Sequence, residues 1–385
     1  MQYILKIAKS FSILILVLII LVVANNNNNI SLPIVILKEA RADTAYFTRY
    51  NSLDTTTAAI ITYVQLPGII PNNNNNNAPS STFPTSPPAS PSALPPPPPI
   101  IHNTSSDRLG KQYENTIFMG DVDKFGISEI YPTKPGGEEW FMNMQDPAKD
   151  PRFNPQATIT KNPDGSYKVT KTAVRMEVYP STGYHQDKIT TLNQKELAAK
   201  GYMQSPNDWK NVEMTGYVKL ISSPSDDQFN WYNRGGRHTN TTPCEGTAYK
   251  SDVMYYFSGK TRFNKEQWYN NGYSFTSPKT VTRSIQDKWV GLKYIVYNFQ
   301  QQNGNKTTTA VRLQSWFDTN NNGIWVKIND FVDSGGWGNH GGYCGGIPDQ
   351  IITWGGPIAT FRWDTATDVD FKNFSVREIE PPPAQ

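Results

Sequence analysis

The sequence predicts an all-β chain folded as an antiparallel β-sandwich, and three observations carry that expectation. In residues 311–333, Val311, Leu313 and Phe317 alternate with Arg312, Gln314, Trp316 and Asp318, and Ile324, Val326 and Ile328 alternate with Trp325, Lys327 and Asn329. A period of two marks a strand with one buried face, and the Asn- and Gly-rich 319–323 between the runs suits the positive φ of a tight turn, so the stretch reads as a hairpin. Strand-like runs then recur through the last two-thirds of the chain, separated by Gly, Asn and Pro, with one convincing helix among them. Aromatic residues make up 12% of the chain and charged ones 18%, a balance that suits a β-rich extracellular domain.

In chain order, Lys6 and Lys9 precede an apolar run over 11–24, the pattern of a signal peptide in 1–24. An uncleaved membrane anchor that also recruits Ile4 and Leu5 is the alternative, because a spanning helix needs roughly 20 apolar residues. Residues 25–106 hold two Asn runs and the proline run 95–99, a composition with little apolar surface to bury. They read as a disordered, partly polyproline tether, with 58–70 able to form an isolated strand. The sandwich is expected over 107–380, with 381–385 as a tail.

Within it, Asp164-Gly165 signals a hairpin between strand-forming runs. Residues 192–200 read as the helix, capped by Gly201. Further strands are expected at 212–221, 248–257, 261–268, 289–300, 358–363 and 369–379. The net charge of +3 comes without a dense Lys/Arg patch, which excludes a nucleic-acid partner.

The strand succession, the WFDTNNNGIWVKI hairpin and the terminal VDFKNFSVREIE strand resemble the concanavalin A-like lectin/glucanase superfamily, nearest to its alginate-lyase-like polysaccharide lyases. That resemblance implies a jelly roll with a glycan in a concave groove, and a secreted or surface-tethered protein whose partner is a polysaccharide. Arg175-Met176-Glu177 matches the lyases' Arg-x-Glu strand. Their Gln-x-His and Tyr-Lys-x-Gly-x-Tyr strands are absent, and His238 and Tyr294 are the nearest substitutes.

Three functions follow as expectations. A glycan-binding module would use Arg312, Gln314, Trp316, Trp325, Trp337 and His340. A polysaccharide lyase would use Arg175 to neutralise a uronate, Glu177 to hold that arginine, and His238 or Tyr294 as the base. His238 suits that role if neighbouring Arg234 and Arg237 keep it neutral. A structural cell-envelope protein is the third reading. Glycoside hydrolysis is disfavoured, because Glu138-Glu139 and Asp226-Asp227 are adjacent pairs that point to opposite faces of a strand. No cofactor is called for. Asp318, Asn320 and Asn322 match the opening of a calcium loop, but Asn329 stands where its last ligand should be Glu, and a plain hairpin turn explains them without a metal. Cys244 and Cys344, alone in an exported chain, are expected to form a disulfide worth about 4–5 kcal/mol by loop closure.

Overall fold

The computed structural model describes residues 120–382, Thr190 excepted, together with the backbone of several strands upstream. The chain divides into two units, Met1–Ser92 and Ala93–Gln385. In the first, Val35–Ile36, Ala45–Tyr50 and Ala59–Val64 pair as a three-stranded antiparallel sheet. The expected leader and the Asn and Pro runs lie outside the described residues. Among the described residues, no helix is long and apolar enough to cross a membrane.

The second unit is an antiparallel β-sandwich of jelly-roll type. One sheet has eight strands, seven of them in the order Gly272–Phe275, Lys260–Trp268, Ala248–Tyr255, Gln228–Gly235, Ile358–Trp363, Val174–Val178 and Phe153–Asn154. The other has ten, with Trp325–Asp333, Lys306–Asp318, Trp289–Asn303, Val212–Ser222, Asp368–Glu378 and Tyr167–Val169 consecutive. Backbone strands Ile101–Ser106 and Gln112–Phe118 extend it beyond Trp325–Asp333.

Alternation places the apolar half of each strand between the sheets, as the sequence predicts. Val311, Leu313 and Phe317 meet Trp231, Phe361 and Trp363 in one continuous core. Trp231 sets its edge on Phe361 (4.8 Å, 81°), which stacks on Phe374 of the opposite sheet (4.3 Å, 22°). A bulge at Gly216 makes room for Phe374, since a Cβ there would lie 2.2 Å from its ring. The helix is Gln194–Lys200; Asn193 caps it by accepting from the N–H groups of Lys195 and Glu196, and Gly201 ends it at φ 88°. The Asp164-Gly165 hairpin forms with a longer loop than two residues, closed by Asn162 N–H donating to the Ser166 carbonyl. The strand Gln228–Gly235 breaks its alternation at a bulge between Phe229 and Asn230, and its Asn- and Gly-rich end reads as a loop in the sequence.

The ten-stranded sheet turns a second side outward, and residues 125–131 cover it. Phe125, Ile127, Ile130 and Tyr131 pack with Tyr217, Ile295, Tyr297, Trp316 and Trp325 as a small second core. This corrects the expectation for Gln314, Trp316 and Trp325, all of which are buried. Tyr131 and Trp316 both donate to Gln314 Oε1 (3.1 and 3.2 Å), while Trp325 packs on Tyr217 beneath the Lys293 ammonium. Arg312 is partly exposed but held by Asp330 through two bonds of 2.8 and 2.9 Å.

Under this cover lies Glu213, fully buried, paired with Lys293 (2.6 Å) and Arg377 (3.2 Å) and accepting from Ile130 N–H. Burial alone would raise its carboxyl, but the two cations and the backbone donor outweigh that and hold it below the ordinary 4.5. A depressed carboxyl contributes stability above its unfolded value and loses it as pH falls through the folded one, so the urea midpoint should drop between about pH 5 and about pH 3. Glu213→Gln should lower the midpoint at neutral pH and flatten that acid dependence. An unchanged acid slope in the variant would assign the dependence to other carboxylates.

Candidate functional site

The outer side of the eight-stranded sheet is where polar chemistry gathers. Register aligns Asn154, Glu177, Thr360, Tyr232, Lys250, Asn264 and Phe275 in one row, a residue from each of seven consecutive strands. At a strand spacing of about 4.8 Å the row runs on the order of 29 Å. No apolar cluster among the described residues covers it.

Lys250 sits beside its central Tyr232, with its ammonium 4.7 Å from the Tyr232 ring and 4.8 Å from the Tyr273 ring. Those rings leave the lysine almost wholly buried, and its charge is balanced by a salt bridge to buried Glu266. Burial lowers the Lys250 ammonium, with Glu266 opposing. Burial would raise the Glu266 carboxyl, yet Lys250 and His238 bring it below its usual value.

Arg175 and Arg362 face each other directly across two strands, an arrangement of like charges that is unfavourable unless compensated. Asp364 compensates both, at 2.7 Å from Arg175 and 2.6 Å from Arg362. Glu177 accepts from Tyr179 Oη (2.7 Å) and Asn154 Nδ2 (3.1 Å). Burial, then the Glu177 charge, pushes the Tyr179 phenol up to about 12, so it remains a neutral donor. Tyr179 stacks on Tyr184, which donates to Glu245 and lies under the Arg237 guanidinium.

Arg175, Glu177 and His238 thus reach the same outer side, but their roles differ from those expected. Arg175 is paired with Asp364 rather than with Glu177. His238 Nδ1 lies 2.8 Å from Glu266 Oε1 and its Nε2 2.8 Å from the Tyr269 carbonyl. Both ring nitrogens face acceptors, so the ring ties the loop to the sheet and aims no lone pair outward. Arg234 turns inward, fully buried, donating to the carbonyls of Lys210 and Ile352 and to Asn298, so the two arginines do not flank the histidine. Tyr294 lies on the inner side of its strand, in the main core, and cannot meet a ligand there.

Trp337 also packs inward, against Tyr249 (6.1 Å, 10°) and Phe331 (4.8 Å), with Lys265 over its ring. His340 is half-buried and stacks on Tyr343. Cys244 and Cys344 are bonded, as expected. Asp318 uses both oxygens within its own turn and on Tyr217: Oδ1 accepts from Asn320 and Asn322 N–H, and Oδ2 from Gly323 N–H and Tyr217 Oη. The DTNNNG stretch is thus closed by its own donors, as a plain turn would be. Among the described residues, no group of three or more His, Cys, Asp or Glu side chains stands together as a metal site.

Sequence reasoning missed Tyr232, Lys250, Glu266, Tyr273 and Arg362. The signal was present in AYKSDVMY and ATFRW, where alternation alone puts Lys250, Asp252 and Arg362 opposite the apolar positions. A cleft of about 500 Å³ lies elsewhere, among Asp123, Lys124, Glu129, Trp140, Asp150 and Arg152. Arg152 is paired there with Glu138, and Asp150 accepts from Trp140. The cleft lacks the ordered row of rings and charges seen on the eight-stranded sheet.

No family model matches the sequence, and no curated protein matches it. Among solved structures, the chain is similar to the carbohydrate binding module CBM66 from Bacillus subtilis, with 10% identity and a TM-score of 0.30 over 59% of this chain and 95% of that one. A Bacillus subtilis protein of unknown function with a galectin-like fold matches with 10% identity and a TM-score of 0.35, over 65% and 100% of the two chains. The exoplasmic/lumenal domain of VIP36, in a Ca2+/Man3GlcNAc-bound form, matches with 9% identity and a TM-score of 0.30, over 61% and 86%. At such identities and scores, function has to be argued from this chain's own side chains.

Removing one member of a buried ion pair leaves the other charge stranded. Lys250→Met should therefore destabilise the sandwich by about 3–5 kcal/mol in urea unfolding, and Lys250→Met with Glu266→Leu should recover more than half of that loss. Failure of the double variant to recover would mean that the pair is not the energetic unit.

Proposed function

We propose that this chain recognises a polysaccharide along the outer side of its eight-stranded sheet, outside the cell. The supporting observation is the seven-strand row centred on Tyr232 and Lys250, with Tyr179, Tyr184 and Tyr273 beside it. A pyranose presents C–H groups on its faces and hydroxyls around its rim. Rings accept the first by stacking, while fixed amides, carboxylates and guanidinium groups meet the second.

Because Arg175 and Arg362 are already held by Asp364, little side-chain order would be lost on binding, and that favours affinity. The row is long enough to hold several sugar rings. Polysaccharide cleavage by β-elimination gains no support from the groups named for it, since Tyr294 is in the core and both nitrogens of His238 are engaged.

The test is retention on immobilised alginate, polygalacturonate and laminarin, followed by titration of whichever polymer holds the protein. Tyr232→Ala should weaken binding about ten-fold with an unchanged circular dichroism spectrum, as expected for losing a central ring contact worth about 1.4 kcal/mol. Ultraviolet absorbance from an unsaturated product should not develop. No retention on any of the three polymers, or full affinity in Tyr232→Ala, would overturn the proposal.

A further inference from the structure

The aromatic surface continues past the end of the sheet. His238, tied to Glu266 at the edge of the row, meets the Tyr269 ring edge-on at 6.4 Å. Tyr269 contacts Trp268 at 5.0 Å, and Trp268 stacks on Tyr343 at 5.3 Å and 28°. Tyr343 in turn stacks on His340 at 6.0 Å and 20°. These rings form a connected path from the row to the 334–348 loop.

Tyr343 is the most exposed large apolar-bodied side chain among the described residues, at 66%. Its loop is nonetheless held firmly. The following residue, Cys344, is bonded to Cys244, in the same loop as His238. Gly341 N–H donates to the Pro348 carbonyl, Gly346 N–H to the Gly341 carbonyl, and His340 N–H to Gln267 Oε1. Gly341 presses so closely on the Ile347 carbonyl that a Cβ there would lie 2.1 Å from it. A wet tyrosine ring on a pinned loop gains nothing for the fold by its exposure, whereas a ring fixed in advance is suited to stacking with a ligand.

We propose that Tyr343, on its stack with Trp268, is a second stacking subsite that takes sugar rings of a polysaccharide running off the sheet past His238. This rests on the glycan reading of the row, and it makes the ligand a polymer engaged on two platforms rather than a short oligosaccharide. The disulfide fixes the spacing between those platforms.

The experiment compares the disaccharide and the decasaccharide of alginate, and the same pair from laminarin, by titration calorimetry with the full chain. Wild type should bind the decasaccharide of one series more tightly than its disaccharide. Tyr343→Ala should weaken the decasaccharide by about three- to ten-fold and leave the disaccharide unchanged, the size expected for one stacking contact. The double variant Cys244→Ser, Cys344→Ser should show the same length-selective loss, because the loop is no longer pinned. If wild type binds an oligosaccharide but Tyr343→Ala alters neither length, or both equally, the second subsite is overturned while the row stands. If wild type binds none of the four, both readings fall together.

Discussion

Strand alternation gives every β-sandwich two outer sides, and how each is satisfied decides what the molecule can do. Here the inner sides meet in a single aromatic-rich core, which commits every other residue to facing out. On the ten-stranded sheet those outward residues include Glu213, Lys293, Gln314, Trp316 and Trp325, and residues 125–131 close over them. On the eight-stranded sheet they form a row of rings and charges with no apolar cover among the described residues. That asymmetry, more than any single residue, underlies the proposal that one side serves stability and the other recognition.

The same ion-pair physics works on both sides with different outcomes. Glu213 and its two cations are sealed away, so the network pins 125–131 to the sheet. Glu266 and Lys250 are as deeply buried, yet the groups packed on them, Tyr232, Tyr273 and His238, keep part of their own surface in solvent. A buried pair fixes the rings, and fixed rings can meet a ligand without further ordering. The Arg175–Asp364–Arg362 arrangement does for the guanidinium groups what Lys250 does for the rings.

Most of the fold was legible because period-two patterning is local. The strands over 212–221, 248–257, 289–300 and 358–363 fall within a few residues of those observed, and the helix cap at Gly201 and the disulfide were read correctly. The site was legible only in part. The sequence shows that Trp316 and Gln314 face away from the main core, but it cannot show that a segment nearly two hundred residues earlier folds over them. Period-two counting puts Tyr294 and Asn298 on one side of their strand, but which side faces the core depends on the partner sheet. His238 stands out in the sequence as a histidine in a Gly-rich loop with two arginines, while Lys250 and Arg362 read as ordinary strand residues until register brings them to Tyr232.

Hydroxyl-radical footprinting of the full chain, with and without alginate or laminarin, tests most directly which side of the sandwich takes the ligand. The account predicts that the bound polymer protects Tyr179, Tyr232 and Tyr273 from oxidation and leaves Phe141, which lines the cleft on the other sheet, unchanged. Protection at Phe141, with the three tyrosines as reactive as before, would contradict it.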